Sequence, residues 1–415
     1  MPAAKSPTVD RYEYGWLLSS LNGAARVADT LGLQHGRLDA DLILAEGPRS
    51  VGLDDWGDEA FIPRLRHAVA TANREPLTPL SRVLTRHLLL QALRNRLQFR
   101  DYLKRTSAIQ DVPVQRPIFV LGFPRTGTTL IQNLLALHPS RRGLQFWELA
   151  RPTPLVADPK RDTAKRMAGA KRELQVAYMV APEMAEMHAI AYDTMEECWP
   201  LFAPAFAVLN WDLSSGFADY GQWLLDQDMR GPYAEYRVYL QALLHQRPTE
   251  TLVLKCPEHL WFLDALFDVF PDAGVVWTHR SPFASIGSYS SMTSLAWRML
   301  YGAVDPHEVG EHISDRFQTG LARAMEVRAR VGEDRFFDVH FRQLVDDPAT
   351  VLRGITEKFD LPQSDDADVQ AYLATSRADD RGRHNYDASV FGLNSAQIDD
   401  RFSQYIERFS LQSRR

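Results

Sequence analysis

A chain of 415 residues with a formal charge of −6, 45% hydrophobic and 24% charged residues has the composition of an ordinary globular protein with a large core, and it exceeds the usual single-domain size. The negative balance argues against a protein that coats nucleic acid, because gripping a phosphate backbone needs a basic surface. Two cysteines, Cys198 and Cys256, are too few for a disulfide framework or a structural zinc site and read as buried small apolar residues.

The N-terminal MPAAKSPTVDRYEYGW lacks the apolar segment of a secretory signal, and no stretch reaches the roughly eighteen apolar residues of a membrane span. A cytoplasmic location is therefore expected. Residues 1–110 read as a helical N-terminal extension, with no strand signal, and fit either a cap or a homodimer surface. Pro76 and Pro79 separate a helix near 59–73 from a longer one near 80–104.

At residue 116 the pattern changes. RPIFVLGF is a short apolar run of strand type, GFPRTGTT a glycine loop, and LIQNLLALH a helix. TLVLK (251–255), GVVWTH (274–279) and FFDVHF (336–341) are further strand candidates, each followed by a helical pattern such as HLWFLDALFDVF or QLVDDPATVLRGITEKF. Valine-rich strands alternating with helices predict an α/β fold, a parallel sheet flanked by helices. A helical insertion at about 152–250 interrupts it and holds Trp199, Phe202, Phe206 and Trp211, which fit a core or an apolar acceptor pocket.

The glycine loop has the spacing of a nucleotide-binding P-loop, but Thr128 stands where the phosphate-reaching lysine belongs. Without that lysine, ATP hydrolysis is disfavoured. The backbone amides of 126–129, the hydroxyls of Thr128 and Thr129, and the Arg125 cation still suit one phosphate at a helix N-terminus. Arg280 after a strand and Ser288 in the following helix could clamp a second. Two anion sites suggest a ligand phosphorylated at two places.

PRTGTT (124–129), the interval of 25 from Lys255 to Arg280 and the interval of 8 from Arg280 to Ser288 together resemble the sulfotransferases that use 3′-phosphoadenosine 5′-phosphosulfate (PAPS), notably the bacterial branch with an arginine in the loop. FWELARP and VHFRQLVDDP also look like family segments. The resemblance covers about residues 115–410 and implies a P-loop-like α/β domain over 111–415 with a lid-like segment near 377–394. It implies PAPS as co-substrate, no metal, and transfer of a sulfonate to a hydroxyl on a carbohydrate, glycolipid, lipid or phenol.

By position, the resemblance gives Arg125, Thr126, Gly127, Thr128 and Thr129 to the 5′-phosphosulfate, and Arg280 and Ser288 to the 3′-phosphate. Lys255 would follow the transferring sulfonate, and Glu148 would be the catalytic base. The chain departs from relatives at Pro257, where the cytosolic branch has a histidine, and at Phe341, where many have a tyrosine near the adenine. His188 is a candidate acceptor contact. Its neighbours Asp193, Glu196 and Glu197 do not share one helix face with it, so a metal site is not expected. A small-molecule kinase or NTPase and a non-catalytic nucleotide-binding relative are the alternatives.

Overall fold

The computed structural model describes residues 9–32, 36–180, 182–183, 190–378 and 386–411. Its centre is a five-stranded parallel sheet in the order β3-β4-β2-β5-β7, formed by β2 (Ile118–Gly122), β3 (Arg141–Arg142), β4 (Thr251–Lys255), β5 (Gly274–His279) and β7 (Phe336–His340). All the apolar runs expected as strands form strands. β2, β4 and β5 are buried on both faces, as helix-covered parallel strands must be, while the edge strand β7 is half-buried at Phe337, Asp338 and His340.

Besides the two-residue β3, two short segments carry no sequence signal. β1 (Asp10–Arg11) pairs antiparallel with β6 (Ala303–Val304), which corrects the all-helical reading of the first 110 residues. Two residues are too few to show an alternation. A third difference lies in QLVDDPATVLRGITEKF, where one helical pattern becomes two helices, Phe341–Asp346 and Pro348–Lys358. Pro348 cannot continue the first, and the Asp347 carboxylate caps the second by accepting from Thr350 N at 3.1 Å.

The two sheet faces carry unequal cores. The smaller is closed by the helices Thr128–Leu135 and Pro348–Lys358 over Val120, Val253, Val276 and Val339. The larger runs without a break from the sheet through the insertion into the N-terminal helices Phe61–Arg74 and Pro79–Arg105. Phe61 stacks on Phe206 and Phe99 on Tyr239. The buried Arg96 reaches the insertion, donating to Pro204 O at 3.3 Å and pairing with Glu235 at 2.5 Å.

Register fixes which strand ends meet. Val120 lies opposite Lys255 on one side of β2, and Gly122 opposite Thr278 on the other. The carboxyl ends of β4, β2 and β5 therefore open together, with the glycine loop rising from the middle strand. Crevices of this kind are where ligands sit in open α/β sheets.

Candidate functional site

The glycine loop is held in shape by contacts that only its own residues allow. Gly122 has φ 142°, and a Cβ there would lie 2.2 Å from Thr278 Oγ1 and 2.7 Å from Thr278 O. Gly127 has φ 91°, and its Cβ would meet Leu344 Cδ2 at 2.5 Å. Arg125 also takes a left-handed φ of 68°, a conformation that costs a non-glycine residue energy and turns its side chain out to solvent. Thr126 spends its hydroxyl inside the loop, 2.6 Å from Phe123 O and 2.5 Å from Thr278 Oγ1. Its contribution to an anion is thereby limited to its backbone N–H.

The helix Thr128–Leu135 starts from Gly127 with no side-chain cap. No side chain accepts from its first-turn amides, Thr128 is buried and Thr129 is exposed. An uncapped helix N-terminus carrying two hydroxyls and flanked by an arginine is a receptive anion site.

Arg280 directly follows β5, and Ser288 lies buried in the second turn of the helix Pro282–Tyr301. The Arg280 guanidinium donates to Arg125 O at 2.7 Å and lies 4.3 Å over the Phe341 ring, because β5 and β7 pair His279 with His340. Of the two positions expected to grip the far end of a nucleotide, Arg280 is thus in contact with the loop, while Ser288 is buried in the helix that follows. Ser281, Ser285 and Ser288 recur at helical spacings of four and three, which sets them on one side. The Oγ atoms of Ser281 and Ser285 are buried without a hydrogen-bond partner among the described residues. Only Ser288 was flagged by its interval; its two companions follow from helical periodicity once the helix is known. Tyr386, within the stretch expected as lid-like, packs on Gly287 and donates to Ala284 O at 2.8 Å. Arg383 and His384 of that stretch, like His188, lie outside the described residues.

Lys255 ends β4 with its side chain 1% exposed and its ammonium 3.2 Å from Glu197 Oε1. Burial alone would push this amine down, but the Glu197 and Glu196 carboxylates outweigh it and hold the amine above its ordinary range. The site therefore keeps a buried ammonium.

Glu148, expected from the resemblance as the base, is buried among basic side chains. Its carboxylate is 1% exposed, 3.0 Å from Arg142 Nη1 and 3.3 Å from Arg247 Nη1, and it accepts from Gln145 N at 2.9 Å in a capping box. The same short helix, Phe146–Ala150, turns Phe146 and Leu149 into a neighbouring cavity, while Glu148 is not among that cavity's lining residues. His259 is also committed: Nδ1 lies 2.7 Å from Tyr233 OH and Nε2 3.3 Å from the buried Cys198 Sγ.

The cavity has a volume of about 330 Å³ and runs from Pro124 of the glycine loop, past Glu197 and Pro257 beside Lys255, into the insertion. Its walls are mostly apolar, among them Leu174, Trp199, Leu213, Met292 and Leu295. Glu196, Glu197 and Glu258 are its carboxyl groups. Burial pushes Glu258 up to about 8, against two backbone hydrogen bonds from Asn210 N at 2.7 Å and Leu209 N at 3.0 Å. Burial therefore favours the protonated form of Glu258, and the carboxyl group that meets Lys255 is that of Glu197. Sequence reading weighed Glu197 only as a metal ligand; its approach to Lys255 joins positions 58 residues apart and exists only in three dimensions.

Comparison with known proteins shows the family. A profile described as the sulfotransferase family matches residues 117–366. Among curated proteins, the omega-hydroxy-beta-dihydromenaquinone-9 sulfotransferase Stf3 of Mycobacterium bovis and that of Mycobacterium tuberculosis are each 22% identical over 306 residues, 71% of this chain and 74% of theirs. Among solved structures, the sulfotransferase STF9 from Mycobacterium avium superposes with a TM-score of 0.81 at 29% identity, covering 90% of this chain and 98% of its own. STF1 from Mycobacterium tuberculosis gives 0.75 at 28% identity, with 88% and 98% covered. These relatives leave the kinase, NTPase and non-catalytic readings without support, and a match across more than half of the sequence, on a sheet whose loop holds no P-loop lysine, makes the chain a member of the sulfotransferase family and an enzyme.

Proposed function

We propose that the protein transfers the sulfonate of PAPS to a hydroxyl on a lipid-like acceptor held in the cavity between the glycine loop and the insertion. The observation that carries this reading is the Lys255–Glu197 pair, which stands where an uncapped anion loop meets an apolar cavity. The curated relatives named for a menaquinone-derived substrate support the apolar class of acceptor.

In this reading the amides of 126–129, with Arg125, Thr128 and Thr129, hold the 5′-phosphosulfate. Arg280 and the Ser281, Ser285 and Ser288 face hold the 3′-phosphate, and Phe341 with the Arg280 plane stacks near the adenine. The acceptor oxygen forms a bond to sulfur as the bond from sulfur to the bridging oxygen of the nucleotide breaks, and charge grows on that bridging oxygen. Lys255 is the buried cation that meets this charge, an interaction stronger in the transition state than in the ground state. When Lys255 turns to the donor, Glu197 loses its partner and becomes free to take the acceptor's hydroxyl proton. Glu148 keeps its arginines and supports the wall that carries Phe146 and Leu149.

Calorimetry with the product nucleotide 3′-phosphoadenosine 5′-phosphate, together with turnover of Glu197→Gln, tests the proposal. Nucleotide binding retained by the variant and turnover lowered by about 10² to 10⁴ are expected. Absence of nucleotide binding to the wild-type chain would overturn the donor assignment, and full activity of Glu197→Gln would overturn the base.

A further inference from the structure

The helix Pro159–Val180 forms one wall of the cavity and has a second face that looks outward. Leu174, Ala177 and Tyr178 line the cavity. Arg161, Lys165, Ala168, Arg172, Val176 and Met179 follow one another at spacings of three and four, and all six are exposed. At about 100° per residue they form one stripe on the side away from Leu174.

The composition of that stripe is ordered. Its first part carries three cations and no carboxylate, in a protein whose net charge is −6. Val176, 50% exposed, and Met179, 63% exposed, make its second part. The two acids of the helix are neutralised elsewhere, Asp162 against the buried Arg166 at 2.7 Å and Glu173 against Arg151. None of the helices among the described residues is long and apolar enough to cross a membrane.

We infer that this stripe is a docking surface for an anionic lipid bilayer, which lets a membrane-borne acceptor pass into the cavity across the apolar end of the helix. Two observations select a bilayer as the occupant. The cations match lipid phosphates, and the apolar tip stands on the same two turns as the cavity wall, so acyl surface outside is continuous with apolar lining inside. Basic helices with an apolar tip lie in the headgroup region in this way. The inference rests on the lipid-like acceptor proposed above.

Flotation of the full chain with phosphatidylglycerol–phosphatidylcholine vesicles, against phosphatidylcholine alone, reads the surface without turnover. Binding to the anionic vesicles that weakens as salt rises is expected, as is a drop of roughly tenfold or more in Arg161→Glu/Lys165→Glu/Arg172→Glu. Met179→Asp should weaken binding at constant charge on the cationic part. Equal recovery with both vesicle types, or a stripe that proves buried in a dimer whose assembly Met179→Asp abolishes, overturns the inference. A chain that binds 3′-phosphoadenosine 5′-phosphate yet ignores vesicles refutes this surface alone; one that floats with vesicles but binds no nucleotide refutes the donor reading alone.

Discussion

Glu148 and Glu197 show how little a residue's type says about its work. Both are glutamates within reach of basic side chains, yet one is 1% exposed between two arginines and the other, 28% exposed, meets a lysine at the edge of a cavity. Removing a charge from a buried pair leaves the partner uncompensated, typically at about 3–5 kcal/mol. Glu148→Gln should therefore lower the melting temperature by several degrees while the folded fraction keeps most of its turnover, a pattern opposite to that of Glu197→Gln. Thermal melts beside single-turnover rates will separate them. A Glu148→Gln variant with wild-type stability and no turnover would return the base to position 148. The interval from the loop to Glu148 was readable in the sequence, but the arginines that occupy it were not: Arg247 is 99 positions further along and arrives by way of the insertion.

At the scale of elements, strand, loop and helix at 118–135 form the unit the sequence expressed most fully, since periodicity, glycine spacing and the missing lysine are all local. Its shape is nonetheless set by a neighbour. Gly122 faces Thr278 across β2 and β5, and a methyl group there would enter the space of both the Thr278 hydroxyl and its carbonyl. Gly122→Ala should lose nucleotide binding by at least about tenfold and destabilise the fold by roughly 1–3 kcal/mol, since neither backbone nor strand partner can yield cheaply. Chemical denaturation and calorimetry of the same preparation will check both. The broken helix at Pro348 and the paired β1 and β6 were lost to sequence reading for opposite reasons. A proline within an amphipathic pattern was outvoted by that pattern, and two-residue strands have no pattern at all.

For the molecule as a whole, the division near residue 110 read from the change of pattern meets a continuous core. Phe61, Arg96 and Phe99 from the N-terminal helices engage Phe206, Glu235 and Tyr239 of the insertion, so the cavity's outer wall and the N-terminal helices support each other. Scanning calorimetry should accordingly give one cooperative transition, and a chain beginning near residue 111 should fail to fold because it exposes that shared surface. Two resolved transitions, or a folded truncated chain, would contradict this.

What the sequence determined by itself was whatever is encoded within a few turns of chain: the buried strands, the glycine loop and the order of sheet and insertion, and, through joint intervals, the sulfotransferase likeness. Only the tertiary structure decided which carboxylate meets Lys255, that His259 is spent on Tyr233 and Cys198, and that one helix carries a cavity wall on one side and a cationic stripe on the other. The physical reason is range. Backbone preference and hydrophobic period act between neighbours, whereas a buried charge takes its role from whichever partners distant segments bring to it.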